Sequence, residues 1–473
     1  MQRDHDKSAT LTQRFHFRKF SFLMVYVVFF GVLNETVFNV STPKIAEQFQ
    51  LLPSEVSWVL TTFIIAFGLG QIVFGKLADI YDLRRLIAIG IVMYASASFI
   101  GFLFQAFYPL VIFGRAVQGA GASALPALTM VIVARYFTQE QRGKLFGLFT
   151  STASFAVGVG PVVGGFVSAY LHWSFLFLIP LFTLASLPMF MNILPKEERG
   201  ENPGKVDLFG ACLLAVAISA LVVFCTNPRW APALVVSLAA IVWFIWHIRR
   251  VRHPFVEPEL FRNALYRTGV VIGFLLFGAV FGIVFVIPLM LSALQGMTTD
   301  DIGLVMFPGA FSAVIFGTVA GNLVARRGSH FVVHIGLVFI CFALLILAGL
   351  TDKWVWYTSA ALVLMYVGMS FVQTAMAESI TQTLPVHQIG VGMGFYGLAA
   401  FISGAVGTAG VSSMLGSGIF DFRLLPFVSR PEAHLYSNLL LVFAAIVAFS
   451  GALYAVTFGR RRQPESAPAH SNG

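Results

Sequence analysis

The chain has 473 residues, of which 58% are hydrophobic and 11% charged, with a formal net charge of +9. At a mean hydropathy of +0.84, a water-soluble fold is excluded, because a protein of this size cannot hide that much apolar surface. The apolar residues fall in runs of about 20, the length that carries a helix across a roughly 30 Å hydrocarbon core. An all-α polytopic membrane protein with fourteen spans is predicted.

The polar, basic segment 1–21 runs straight into the first span, 22–42, without a small-residue cleavage pattern, so no signal peptide is expected. That span contains "FGVLNETVFNVSTP", which places Asn34, Glu35 and Asn39 among apolar neighbours. A carboxylate at such a position is expensive and points to function. Spans two (56–78) and three (86–105) are joined by the basic turn "GKLADIYDLRRLI", carrying Gly75, Asp79, Arg84 and Arg85; Gln71 lies within span two. Span four (108–134) holds Arg115 and Gln118 in "RAVQGAGAS". Span five (145–170) holds "GVGPVVGG", where Gly158, Gly160, Gly164 and Gly165 surround Pro161. Small residues allow close helix approach, and a proline removes one backbone hydrogen bond and bends the helix. Span six covers 173–194. Spans seven (207–226) and eight (230–248), separated by "NPRW", form a hairpin within a linker, 195–266. Six spans follow at 268–294, 302–324, 331–350, 354–378 (with Gln373), 388–416 and 436–458, and a Pro/Ser-rich tail, 459–473, is expected to be disordered.

Charge orients the chain. With the N-terminus in the cytoplasm, only Lys44, Arg229, Lys353, Arg423 and Arg430 fall outside, Arg115 lies within a span, and every other Lys and Arg is inside. That bias is the positive-inside pattern, so both termini are expected to be cytoplasmic. The net positive charge then reflects topology and lipid headgroups, with no nucleic-acid partner. Cys212, Cys225 and Cys341 lie in or at the ends of spans, with neither metal-ligand spacing nor a disulfide framework. No nucleotide loop, metal cluster or nucleophile triad is visible, so neither an enzyme nor a bound cofactor is expected.

The turn after span two has a counterpart after span ten, "GNLVARRGSHFV", which places Gly, Leu and basic residues in the same order. Two six-helix halves, 22–194 and 267–458, are therefore expected around a central site. The matching acid is absent at Ala325, which predicts a weaker second turn contact.

These motifs resemble those of the major facilitator superfamily. "GKLADIYDLRR" is similar to its loop motif GxLaDrxGrk, departing at Ile80 and Asp82; "RAVQGAGAS" resembles its RxxQGxG motif, and "GVGPVVGG" its antiporter motif. "LNETVFNVSTP" resembles the first-helix motif of the fourteen-helix drug:proton antiporters. "HWSFLFLIP" and "RLLPFVSRPEAHLYSNLLL" bring the chain nearest to the Gram-positive tetracycline-resistance efflux group. The resemblance implies two six-helix bundles with two inserted helices, a bacterial plasma-membrane location, and export of an amphipathic drug in exchange for protons. It also implies a cytoplasmic gate at Gly75, Asp79, Arg84 and Arg85. Exporters of the tetracycline–metal chelate carry acids near Val157 and Gly404, and an Asp where this chain has Ala325. The substrate is accordingly tetracycline, alone or as a metal chelate, or another hydrophobic drug.

Glu35 precedes Thr42 by seven residues and Arg115 follows Tyr108 by seven, so both lie about 10 Å below the same boundary. Two roles are open: Glu35 binds and releases a proton under the influence of Arg115, or the two form a static ion pair. Asn34, Asn39, Gln71, Gln118 and Gln373 are candidate cavity residues. Metabolite:proton symport and a non-transporting receptor or scaffold are the competing readings.

Overall fold

The structure, a computed structural model, describes residues 17–38, 41–51, 53–56, 58–194, 207–226, 230–251, 254–256, 258–297, 299–385, 388–417, 419–426 and 428–459. Among the described residues, thirteen helices are long and apolar enough to cross a membrane, and a shorter apolar helix stands at the seventh predicted span. They are α1 (Phe17–Thr36), α2 (Trp58–Ile80), α3 (Leu83–Leu103), α4 (Tyr108–Tyr136), α5 (Gln139–Tyr170), α6 (Trp173–Ile193) and α7 (Leu208–Thr226). They continue as α8 (Ala231–Ile248), α9 (Ala264–Gln295), α10 (Thr299–Arg327), α11 (Ser329–Gly349), α12 (Val355–Thr381), α13 (Ile389–Ser417) and α14 (Pro431–Phe458). α6 winds as a 3₁₀ helix over Trp173–Ser186 before relaxing to α.

Local chemistry moves the helix ends from where hydropathy puts them. The first span stops at Thr36, because a separate short helix, Thr42–Phe49, starts after Ser41 with a proline in its first turn; a proline fits there but would break a helix running through it. α5 starts six residues before the predicted span. Thr138 accepts from the Gln141 amide, and the Gln141 side chain accepts in return from the Thr138 amide, a reciprocal cap that makes an early start favourable. Asp82, which departs from the loop motif, caps α3 by accepting from the Arg84 amide.

The helices pack as two matching sets. In the first half α2 and α3 pack on α4, and α1 on α5 and α6; in the second α10 and α11 pack on α12, and α9 on α13 and α14. The halves meet where α2 and α4 cross α13, and where α5 crosses α10 and α12. The α7–α8 hairpin packs on itself and leans through α7 on α2 and α13. At its base, Asp207 ties the hairpin to the connector that follows α8. Burial pushes the Asp207 carboxyl up, but hydrogen bonds from the Gly210 and Phe255 amides and from His247 Nε2 (2.9 Å) hold it below the usual carboxylate range.

Candidate functional site

Three polar features stand out: a buried network inside the first half, a glycine-lined contact between α5 and α1, and a charged contact where α2 meets α13.

Arg115 on α4 is fully buried. Its Nε donates to the Val59 carbonyl (3.0 Å) and its Nη1 to Gln118 Oε1 (3.1 Å). Gln118 Nε2 donates to Ser98 (2.7 Å), whose hydroxyl donates to the Tyr94 carbonyl, and Tyr94 OH donates to the Phe30 carbonyl. The guanidinium also lies between two ring faces, Phe38 at 4.2 Å and Phe63 at 4.1 Å. A charged side chain at the centre of a span costs about 2.5–3.5 kcal/mol on insertion scales. Hydrogen bonds to a charged group stabilise by roughly 1.5–3 kcal/mol each, and desolvated ring faces add about 2. Arg115 is therefore held inside the first half by carbonyl, amide and ring groups, with no carboxylate bonded to it among the described residues.

That result separates the two predicted partners. Glu35, half-buried on α1, is near enough to Arg115 to feel its charge, but among the described residues it makes no ion pair or hydrogen bond. Arg115 Nη2 is buried without a hydrogen-bond partner among the described residues. Asn34 is also fully buried, beside the Tyr94 hydroxyl, and neither of its amide atoms has a hydrogen bond of good geometry among the described residues. A static ion pair does not describe this site. Among the described residues it contains a carboxylate without a hydrogen bond and, within reach of its charge, a cation with one unsatisfied nitrogen.

The glycine run on α5 packs next to it. A Cβ on Gly160 would fall on the Thr36 side chain, and one on Gly164 on the Val37 carbonyl, so glycine is what lets α5 meet α1 just beyond Glu35. Gly158 faces open space, and Gly165 is half-buried. α5 is one continuous helix through Pro161; the Pro161 side chain lies outside the described part of the structure, as does Asn39.

At the basic end of α2, Asp79 Oδ1 and Oδ2 accept from the Gly390 and Val391 amides (3.1 and 3.0 Å) at the start of α13. An anion against the free amides of a helix N-terminus is favoured by both hydrogen bonding and the helix dipole. The predicted basic partners need correcting. Arg85 is exposed, and Arg84 contributes its backbone amide to Asp82. The residue that grips Asp79 is Arg135, at the end of α4, with Nη2 at 2.5 Å from Oδ1 and Nη1 on the Ala78 carbonyl. In sequence Arg135 is one basic residue among several near a turn; only its place in the last turn of a helix packed on α2 singles it out. Gly75 belongs to the same crossing: a Cβ there would strike the Gly390 carbonyl.

The remaining predicted cavity residues are dispersed. Gln71 is buried against Gly397 of α13, at the junction of the halves. Gln373 borders a void of about 10 Å³ inside the second half, with Tyr396, Phe277, Met369 and Met376. Val157 is exposed, and Gly404 lies against the Phe281 ring.

The family profile described as Major Facilitator Superfamily matches residues 24–408. Riboflavin transporter RibZ of Clostridioides difficile is 26% identical over 92% of this chain and 96% of that protein. Multidrug resistance protein Stp of Mycobacterium tuberculosis is 25% identical over 85% of this chain and 76% of its own length. Multidrug transporter protein MdtP of Bacillus subtilis is 24% identical over 87% and 78%. Among solved structures, the human organic anion transporter MFSD10 superposes with a TM-score of 0.64 at 15% identity, covering 91% of this chain and 99% of that one. The proton:xylose symporter XylE gives 0.62 at 13%, covering 94% and 96%.

Proposed function

Since this chain belongs to the Major Facilitator Superfamily, we propose that it is a proton-coupled antiporter that expels a hydrophobic or amphipathic drug from the cytoplasm by alternating access. The observation that carries the reading is Glu35: a carboxylate in a membrane span, without ion pair or hydrogen bond among the described residues, beside a cation already held by other groups. An acid so placed is free to take up and release a proton, and Arg115 biases which form prevails. The tight α5–α1 contact at Gly160 and Gly164 lets a change at Glu35 move the neighbouring helix. Asp79 and Arg135 act as the latch that keeps the basic end closed, with both termini on that, cytoplasmic, side of the bacterial plasma membrane.

Two multidrug proteins among the relatives support a drug substrate. Tetracycline is one candidate, but its cationic metal chelate would find apolar or small side chains at Val157, Gly404 and Ala325 rather than acids. A second reading, transport of an aromatic metabolite, is favoured by the likeness to a riboflavin transporter.

The test is reconstitution into vesicles, an imposed pH gradient and a panel of tetracycline, ethidium and riboflavin. Antiport predicts uphill movement of a drug opposite to the proton flux, lost in Glu35→Gln. Movement in the same direction as the protons would replace antiport with symport.

A further inference from the structure

Under the repeat, the position matching Asp79 is Ala325, and no carboxylate stands there. The second half carries a buried carboxylate elsewhere at the same end of the molecule. Glu378, in the last turn of α12, is fully buried. Its Oε1 accepts from Arg142 Nη2 (3.3 Å), on the first turn of α5 in the opposite half, and from Gln382 Nε2 (2.9 Å). Arg142 Nη1 reaches back to the Ala134 carbonyl at the end of α4. Asp79–Arg135 stays within one half and crosses only through backbone amides; Arg142–Glu378 is the ion pair that joins the halves among the described residues.

We propose that Arg142 and Glu378 are the second charged lock of the inner gate, replacing the acid missing at Ala325, and that they hold α5 against α12 until the halves part. The inference rests on the alternating-access part of the function proposed above. Three observations support it. The pair sits at the mouth of a seam: deeper along α5, Thr150 accepts from Thr374 of α12 (3.2 Å), and Ser151 bonds Thr318 of α10 at 3.1 Å. At that seam the α5 and α10 backbones touch, because a Cβ on Gly147 would strike Gly317 and Gly321. Finally, the pair is under-bonded: Glu378 Oε2 and Arg142 Nε are buried without hydrogen-bond partners among the described residues.

Under-bonding suits a gate. A buried ion pair gains little net energy over two hydrated charges, so parting the halves and returning both to water is nearly balanced. Removing one partner differs, because it strands a charge in the closed seam and pushes the equilibrium towards the open one.

The test reads opening directly, without substrate or proton gradient, so its failure is distinct from failure of the antiport reading. A Thr150→Cys reporter is placed in the full chain with Cys212, Cys225 and Cys341 changed to serine, and labelled by N-ethylmaleimide in reconstituted vesicles. Glu378→Gln and Arg142→Gln should each speed labelling by about fivefold or more. The swap Arg142→Glu with Glu378→Arg should return it to within about twofold of the parent. A second reporter, Ser359→Cys, buried within one half, should stay slow throughout. Parent-like labelling in both single variants overturns the proposal, as does a folded swap that labels as fast as they do. Equal acceleration at Ser359→Cys also overturns it, because the effect is then loosened packing. Should Glu378→Gln fail to fold, Glu378→Asp keeps the charge with a shorter reach, and the proposal requires faster labelling there too.

Discussion

The two halves repeat one helix plan and differ in what they bury. In the first, α4 places Arg115 and Gln118 in a hydrogen-bonded chain that runs through Ser98 to Tyr94, with Asn34 and Glu35 alongside. In the second, α12 and α13 place Gln373 and Tyr396 around a small apolar void, and the described buried carboxylate, Glu378, is at the helix end. Duplication supplies equivalent positions, and the two halves place different polar residues on them. In the antiport proposed above, the first half would supply a charged wall that responds to a proton, and the second a neutral wall of rings, methionines and hydrogen-bonding groups.

The comparison breaks most directly at Glu35. Glu35→Gln preserves shape and removes titration, so gradient-driven accumulation should fall by about a hundredfold or more, while the protein folds and still binds drug. Gln behaviour equal to the parent would mean the charged wall is structural. Arg115 comes next. Arg115→Lys keeps the charge but cannot fork between Val59 and Gln118 or lie flat between Phe38 and Phe63, and should lower coupled transport about tenfold. Unaltered transport in the lysine variant would reduce Arg115 to a point charge.

How much of this was legible in the sequence follows from what each feature depends on. Span number and order depend on apolar run length, which is local, and they are readable. Helix ends depend on caps such as Thr138–Gln141, which hydropathy does not weigh. Polar residues in spans announce themselves, so Glu35, Arg115, Gln71 and Gln118 are visible by being out of place. Their partners are not, because pairing depends on the rotation of each helix about its axis. Phe38 and Phe63, which flank Arg115, cannot be distinguished in sequence from the rest of 49 phenylalanines. Arg135 and Arg142 likewise look like two of many basic residues near turns until α4 and α5 are placed against α2 and α12.

Asp79 tests whether the proposed latch works independently of the charged wall. Asp79→Asn retains an oxygen for one α13 amide but gives up the charge that Arg135 grips. Turnover should drop about fivefold with drug affinity within about twofold, because the defect lies in exchange between states. Weakened binding at parental turnover would assign Asp79 to the substrate site and end the separation.

The smallest effect belongs to the neutral wall, at Tyr396. Its hydroxyl is buried without a hydrogen-bond partner among the described residues, so Tyr396→Phe breaks no bond to them. Removing an unsatisfied polar atom is neutral or stabilising, and the melting temperature should hold or rise slightly. Transport should then divide by substrate. A compound that offers the hydroxyl an acceptor loses a hydrogen bond, about fivefold in affinity, and one that meets it only with hydrocarbon loses nothing. Measured across the drug panel, that division would identify the second half as the wall that sorts substrates. A uniform loss across all compounds, with proton dependence altered as in Glu35→Gln, would show that both halves share the coupling chemistry.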